Sequence, residues 1–276
     1  MKKNKILIII PSRFASTRLP EKPLVKIAGK EMVLRVAEIA NYVCNKVEGC
    51  NYIVATDHEK IVNFCKENNI AVMMTSENCK SGTERCWDVT TKIAEKPDFI
   101  VNLQGDNPLC PPWFIEQLIE AWKNDKEGQV FTPSLHLSWE GYDRMKESKK
   151  ITPYSGTTVE VDKFGYALAF SKAMIPVIRN EEKVRKILDK SPVRRHIGLY
   201  SYTYDALKKY FEVEASPYEL PEGLEQMRFL HNRIPVKMID VDYRNRKSMS
   251  GVDSPEDIER AEKIIAEFGE FNLSPE

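Results

Sequence analysis

The stretch Ile6-Leu-Ile-Ile-Ile-Pro-Ser-Arg-Phe-Ala-Ser-Thr-Arg-Leu-Pro-Glu-Lys-Pro23 runs from an uninterrupted apolar segment into a proline-bounded loop carrying three cations. Five consecutive aliphatic residues predict a strand over Ile6–Ile10 that is buried on both faces, as in a parallel sheet. Pro11, Pro20 and Pro23 restrict the loop that follows, so Arg13, Arg18 and Lys22 sit on a stiffened backbone. Taken alone, such a loop is either a solvated turn or an anion site. Its position at the carboxyl end of a buried strand, where open α/β sheets bind ligands, points to an anionic, phosphate-rich ligand. It is not a Walker loop, because it lacks G-x-x-x-x-G-K.

The chain around this segment alternates strand and helix signals. Helical spacing over Glu31–Val43, Glu59–Glu67, Thr83–Ala94 and Trp113–Trp122 alternates with strand signals over Tyr52–Ala55, Ala71–Met74 and Phe99–Leu103. This predicts βαβ units and a mostly parallel sheet with helices on both faces, a Rossmann-like α/β fold. After Gln129 the pattern shifts to strands over Val130–Leu137, Thr157–Val161, Tyr166–Phe170, Ile197–Tyr202 and Val236–Val241. Helices are expected over Asn180–Lys190, Glu222–Leu230 and Pro255–Phe268, and the polar, lysine-rich stretch Trp139–Lys150 reads as a surface excursion. With no repeat and no long linker, the 276 residues read as a single domain: a nucleotide half over about 1–128, a smaller mixed β elaboration over 129–250, and a C-terminal helix over 251–276.

Composition narrows the function. The 41 basic residues balance the 41 acidic ones, so no global field recruits a nucleic acid polymer or an anionic membrane. No apolar run approaches a membrane span. The amino-terminal apolar run, from Met1-Lys-Lys onward, is short and lacks a small-residue cleavage site, unlike a signal peptide. Six dispersed cysteines without a C-x-x-C pair fit reduced thiols in a cytoplasm better than zinc or a disulfide framework.

Four further clusters carry candidate chemistry. In Val101-Asn-Leu-Gln-Gly-Asp-Asn-Pro108 an apolar strand runs into Gly105-Asp106. Asp106 is either a turn former or a magnesium ligand, and the strand's carboxyl end favours the ligand. In Ser250-Gly-Val-Asp-Ser-Pro-Glu-Asp257, Ser254 reads as an N-cap with Pro255 at the first helical position. Asp253 or Ser254 is the cap, and Asp253 taken alone reads as a cap, with a second metal carboxylate as the alternative. Ser81-Gly-Thr-Glu84 reads as a capping box. Arg85, in the first turn of that helix, opposes the dipole and calls for a partner: a ligand carbonyl, a phosphate or a nearby acid. His58 and His231 read as surface residues and His136 as structural. His196, opening a strand beside Arg194 and Arg195, suits a neutral hydrogen-bonding role. No H-e-x-x-H, G-x-G-x-x-G or Ser–His–Asp arrangement is present, which weakens zincin, dinucleotide and hydrolase readings.

In this order, Pro11-Ser-Arg-Phe-Ala-Ser-Thr-Arg-Leu-Pro20, Ala55-Thr-Asp57, Ser81-Gly-Thr-Glu-Arg85, Val101-Asn-Leu-Gln-Gly-Asp106, Gly165-Tyr-Ala-Leu168, Arg195-His-Ile-Gly-Leu-Tyr200, Leu224-Glu-Gln-Met-Arg228 and Gly251-Val-Asp-Ser-Pro-Glu-Asp257 resemble the 3-deoxy-manno-octulosonate cytidylyltransferase (CMP-KDO synthetase) family. The resemblance runs from Ile8 to about Ile265. It implies a nucleotidyltransferase-type fold, a cytoplasmic homodimer, Mg2+, and transfer of CMP from CTP to a sugar acid with release of pyrophosphate. It makes Arg13, Arg18 and Lys22 triphosphate ligands beside Pro11 and Ser12, places Arg85 at the cytosine, and makes Asp106 and Asp253 metal ligands, against the cap reading of Asp253. Gln104, Lys172, His196, Tyr200, Glu225 and Gln226 fall where the family contacts its sugar acid.

The chain departs from the family pattern at Glu21 (glycine in the family), Asn107 (glutamate), Lys172 (arginine) and Thr158 (lysine). The nucleotide half keeps the pattern and the acceptor half is altered. The resemblance then implies KDO or a closely related 3-deoxy-2-ulosonic acid as acceptor. The alternative is the same chemistry on another such acid, for example an amino-substituted one, or on a different small acid. A sugar-1-phosphate nucleotidyltransferase would carry a glycine-rich loop, absent here, and a non-catalytic homologue would not need both aspartates and all three loop cations.

Overall fold

The computed structural model describes residues 4–16, 18–249 and 251–274. Thr17 of the basic loop, Ser250 and the Met1-Lys-Lys start lie outside them. The strands are β1 (Ile6–Ser12), β2 (Lys26–Ile27), β3 (Lys30–Glu31), β4 (Cys50–Thr56), β5 (Val72–Met74), β6 (Phe99–Asn102), β7 (Val130–His136), β8 (Thr157–Val161), β9 (Ala167–Ser171), β10 (Arg194–His196), β11 (Tyr200–Thr203) and β12 (Val236–Asp240). The helices are α1 (Met32–Lys46), α2 (Glu59–Glu67), α3 (Gly82–Lys92), α4 (Pro112–Asn124), α5 (Trp139–Ile151), α6 (Glu181–Ile187), α7 (Tyr204–Glu212), α8 (Glu219–Glu222), α9 (Met227–His231) and α10 (Pro255–Phe268).

The chain forms two compact units. The first comprises Met1–Ile119, Leu199–Tyr204 and Tyr243–Glu276, and the second Glu120–Gly198 and Asp205–Asp242. In the first unit β1 pairs in parallel with β4 and β6, β4 in parallel with β5, and β11 antiparallel with β6. Ile6, Ile8, Ile9 and Ile10 are at most 2% exposed, as a strand flanked on both edges and covered on both faces requires. Each contributes about 1.5–3 kcal/mol of burial. Chain order runs β1, β4, β5 to one side and then returns to β6 on the other. The carboxyl ends of β1 and β6 therefore flank the point where strand order reverses, the place for a ligand crevice in such sheets.

In the second unit β7 pairs in parallel with β12 and antiparallel with β10, and β8 runs antiparallel to both β10 and β9. Tyr166 and Lys237 both reach Asp125, with the Tyr166 hydroxyl at 2.9–3.0 Å and the Lys237 ammonium at 2.9 Å. Burial pushes the Asp125 carboxyl up, but these bonds and two backbone donors outweigh it and hold it at about 2.

Helix α7 was not expected from the sequence, and three expected elements and one residue also differ. Trp139–Lys150 is helical as α5, not an irregular excursion. Only Tyr142 is buried along it, so it carries no apolar stripe to read. It is held instead by the Ser138 cap and by Glu140–Arg144 and Glu147–Lys150 pairs. The strand expected over Ile197–Tyr202 is two strands, β10 and β11, broken at 197–199, and His196 closes β10 instead of opening a strand. Glu222–Leu230 is likewise two short helices, because Gly223 takes the left-handed conformation (φ 60°) that ends α8. His58 is no bare surface residue: it caps α2 by accepting from the Lys60 backbone N–H, and its ring stacks on Phe14 at 3.6 Å. All six cysteines are free thiols, although Cys44 and Cys50 are brought to 3.2 Å between sulfurs.

Candidate active site

A cavity of about 510 Å³ opens in the first unit at the carboxyl ends of β1 and β6. Pro11, Ser12, Arg13, Arg18, Lys22, Arg85, Gln104, Asp106 and Asp253 all line it. Lys22 thus meets residues 84 and 231 positions further along the chain, and packing explains how. Leu19 of the basic loop shares one apolar cluster with Ile27, Met32, Leu109, Met249, Val252, Ala261 and Ile264. That cluster pins the loop to α10 and to the segment carrying Asp253. Ser254, not Asp253, caps α10, in a capping box closed by Asp257 with Pro255 in the first turn. Asp253 is thereby released from capping and turns its carboxylate into the cavity.

Two glycines permit the close approach. A Cβ on Gly105 would lie 2.5 Å from the Pro11 carbonyl and from the Ser12 hydroxyl. A Cβ on Gly251 would lie 3.1 Å from Asp106 Oδ1, and the Val252 N–H donates to the Asp106 carbonyl at 2.7 Å. The backbone before Asp253 therefore lies directly against Asp106.

The Lys22 ammonium stands between the two carboxylates, 2.7 Å from Asp106 Oδ2 and 2.8 Å from Asp253 Oδ1. Burial would lower its pKa, but the charges and hydrogen bonds of the two aspartates outweigh this and hold it above the ordinary lysine value. Burial likewise pushes the Asp253 carboxyl up, and Lys22 with Arg18 reverses that to a net lowering. Arg18 reaches Asp253 at 3.3 Å from an exposed position. Arg13 is exposed at the cavity edge and available to an incoming anion.

Glu21, the acid among these cations, is accounted for by its backbone. It takes the left-handed conformation (φ 52°, ψ 32°) immediately before the turn at Lys22–Leu24, a place that suits glycine. Its carboxylate points to Lys60, at 2.6 Å, and Glu21 is not among the residues lining the cavity.

Arg85 has found its nearby acid. Its guanidinium is 2% exposed and donates to Asp57 Oδ2 at 2.8 Å and to the Thr75 hydroxyl, while Asp57 Oδ1 accepts from the Phe14 N–H at 3.1 Å. Asp57 thus ties the basic loop to α3, a role that sequence reasoning missed although Ala55-Thr-Asp57 was within its view. Ser81 accepts from the Glu84 N–H as expected, but Glu84 returns to the Lys80 N–H and not to Ser81. Lys80, Ser81 and Gly82 also line the cavity, and nothing in their local sequence marked Lys80 for it.

Of the six residues expected at the acceptor, Gln104 and Tyr200 belong to the first unit. Gln104 donates to Asn102 Oδ1 at 2.8 Å, and Tyr200 stacks parallel to Tyr202 on β11. Lys172, His196, Glu225 and Gln226 belong to the second. His196 is buried, 2.8 Å from the Thr132 hydroxyl and edge-on to Phe170. Burial, then the charges of Lys172 and Arg195, push its pKa down to about 3, so it is neutral at physiological pH. Gln226 is 3% exposed, and its Nε2 has no hydrogen-bond partner among the described residues.

The depressed His196 pKa fixes a sign for pH dependence. Between about pH 3 and 6.5 the unfolded chain binds a proton at this residue that the folded chain does not. The stability it protects is present above about pH 6.5 and is lost as the pH falls. Denaturant unfolding of the native protein and of His196→Asn at pH 7 and pH 5 should show a steeper loss in the native protein, by on the order of 2 kcal/mol.

A family model described as Cytidylyltransferase matches residues 7–239. The chain belongs to the cytidylyltransferase family. Among curated relatives, this cytidylyltransferase is 40% identical to the 3-deoxy-manno-octulosonate cytidylyltransferase of Maricaulis maris, over 96% of this chain and 99% of the relative. It is 36% identical to that of Haemophilus influenzae (strain 86-028NP), over 94% and 98%. Its fold matches a solved structure of CMP:2-keto-3-deoxy-manno-octonic acid synthetase complexed with CTP, with a TM-score of 0.82 and 31% identity, covering 96% of this chain and 99% of the other. The α/β fold expected from the strand and helix pattern is therefore the observed one. Among the described residues of the cytidylyltransferase, no helix is long and apolar enough to cross a membrane, and no group of three or more His, Cys, Asp or Glu side chains gathers as a metal site.

Proposed function

We propose that this cytidylyltransferase transfers CMP from CTP to 3-deoxy-manno-octulosonate, releasing pyrophosphate. The observation that carries the reading is the convergence of Arg13, Arg18 and Lys22 with Asp106 and Asp253 on one cavity at the sheet's switch point. The names of the curated relatives and the CTP-bound solved structure supply the nucleotide and the acceptor.

In this reading Arg13, Arg18 and Lys22 neutralise the β- and γ-phosphates, which leave as pyrophosphate. Pro11 and Ser12 shape the floor of the nucleotide site, and Arg85, fixed by Asp57, forms the wall beside the cytosine. The acceptor hydroxyl attacks the α-phosphorus in line, so positioning and charge stabilisation supply most of the rate. Lys172 offers its ammonium to the acceptor carboxylate. Within the second unit, the neutral His196, the unpartnered Nε2 of Gln226 and Glu225 offer hydrogen bonds to the sugar. A proton-shuttling role for His196 is disfavoured by its depressed pKa.

The residues also fit magnesium. Two carboxylates from distant segments converge on a single cation, and Gly251 gives the backbone room to approach Asp106. Two carboxylates completed by substrate phosphates are a usual donor set for Mg2+. Held by Asp106 and Asp253, Mg2+ would offset charge on the α-phosphate and lower the pKa of the acceptor hydroxyl.

We also propose a cytoplasmic homodimer. Free thiols support the compartment. Exposed Ile151, Tyr154, Leu168, Val177 and Leu220, all in the second unit, support an interface on that unit. Light scattering coupled to size exclusion should give twice the chain mass; the mass of one chain would contradict the dimer. For the reaction itself, mass spectrometry of a mixture with CTP and 3-deoxy-manno-octulosonate should find the CMP-sugar acid. Its absence, with CTP intact, would overturn the reading.

A further inference from the structure

In the second unit, Lys172 follows β9 and has its backbone gripped from both sides by charged side chains of two helices. Its N–H donates to Glu222 Oε2 at 2.7 Å, from α8, while its carbonyl accepts from the Lys149 ammonium at 2.6 Å, from α5. Glu222 Oε1 also accepts from the Ser171 hydroxyl at 2.9 Å. Lys149 gathers three more carbonyls, those of Ser155 at 2.7 Å, Gly156 at 3.1 Å and Pro153 at 3.4 Å. The next residues are tied as well, with Thr158 donating to the Ala173 carbonyl at 2.6 Å and accepting from the Ile175 N–H at 3.1 Å.

We infer that Lys149 and Glu222 are positioning residues for acceptor binding, acting through Lys172. The inference rests on the reading that Lys172 meets the acceptor carboxylate.

The physical argument begins with what lysine lacks. Its ammonium is a point charge on a flexible stem, without the planar fork by which arginine fixes a carboxylate. Accurate placement must then come from the backbone that carries it. Lys149 sits where burial and the charges of Lys172 and Arg195 all disfavour its ammonium, with Glu222 partly compensating. A cation in that position is costly. Its donors are spent on main-chain oxygens, so it organises the segment and does not bind ligand itself. Glu222 completes the grip at the other main-chain group of the same residue, the N–H of the preceding peptide. The pair thereby fixes both where Lys172 starts and which way it leaves β9.

The test uses steady-state kinetics on the full chain with CTP and 3-deoxy-manno-octulosonate. Lys149→Met and Glu222→Gln should each raise the acceptor KM at least fivefold, leave the CTP KM within twofold, and change kcat little. Lys149→Arg, which keeps donors, should recover most of the loss. Lys172→Ala should raise the acceptor KM comparably, and the Lys149→Met, Lys172→Ala double variant should be no worse than Lys172→Ala alone, since both act through one group. Effects that multiply in the double variant would overturn the inference. So would an unchanged acceptor KM in both Lys149→Met and Glu222→Gln. If Lys149→Met fails to fold, Glu222→Gln with Lys172→Ala supplies the same cycle. An unchanged acceptor KM in Lys172→Ala would overturn the reading of Lys172 itself, separately from the grip.

Discussion

Asp106→Asn should reduce turnover on the order of a thousandfold while leaving the CTP dissociation constant within about threefold. The substitution keeps the side-chain shape and removes one negative charge. Triphosphate binding is assigned to Arg13, Arg18 and Lys22, none of which is lost. Lys22 retains Asp253 at 2.8 Å, so the cavity should keep its geometry. What disappears is one of the two carboxylates proposed to hold Mg2+, and with it charge that would keep a divalent cation at the α-phosphate. Pre-steady-state pyrophosphate release separates the two effects, because binding and chemistry are read in one experiment. Near-normal turnover in Asp106→Asn would rule out the metal role of this carboxylate.

Lys22→Met should have the second-largest effect, in two parts. A charge-assisted hydrogen bond to a phosphate is worth about 1.5–3 kcal/mol, so kcat/KM for CTP should fall by about ten- to a hundredfold. The second part follows from the position of the ammonium between Asp106 and Asp253. Removing it takes the shared counter-ion from Asp106 and Asp253, although Arg18 still reaches Asp253 at 3.3 Å. Asp253 is 45% exposed, so solvent screens much of the repulsion, and the folding cost should be only about 1 kcal/mol. A divalent cation can take the place of the ammonium. Magnesium or manganese without nucleotide should therefore raise the melting temperature of Lys22→Met by several degrees and that of the native protein by little. Equal shifts in both proteins would contradict the placement of Lys22 as the resident counter-ion.

The first unit was legible because its strands are buried on both faces. A run such as Ile6–Ile10 has few alternatives, and Gly105 before Asp106 marks the close approach of β6 to the end of β1. The basic loop was legible for a related reason: its three prolines and three cations are contiguous in sequence. The second unit was harder. α5 has almost no buried face, and β10 is three polar or charged residues whose pairing depends on partners far along the chain. That Asp253 turns into the cavity was only partly local, although the Ser254 cap itself could be read from Ser254-Pro-Glu-Asp257. The rest turned on the Leu19–Ile264 cluster drawing the loop to α10. Glu21 shows the same limit. An acid in a phosphate loop looks wrong until its left-handed backbone and its pairing with Lys60 show that it faces elsewhere. Lys149 and Glu222 left no sequence signal, because both act on main-chain atoms of a residue more than 20 positions away.

The most direct test of the central claim is the initial rate of pyrophosphate release from each nucleoside triphosphate, with and without 3-deoxy-manno-octulosonate. The account predicts release from CTP only when the sugar acid is present, in step with formation of the CMP-sugar acid. Release from UTP or GTP at rates matching CTP, or no release from CTP with this acceptor, would contradict it.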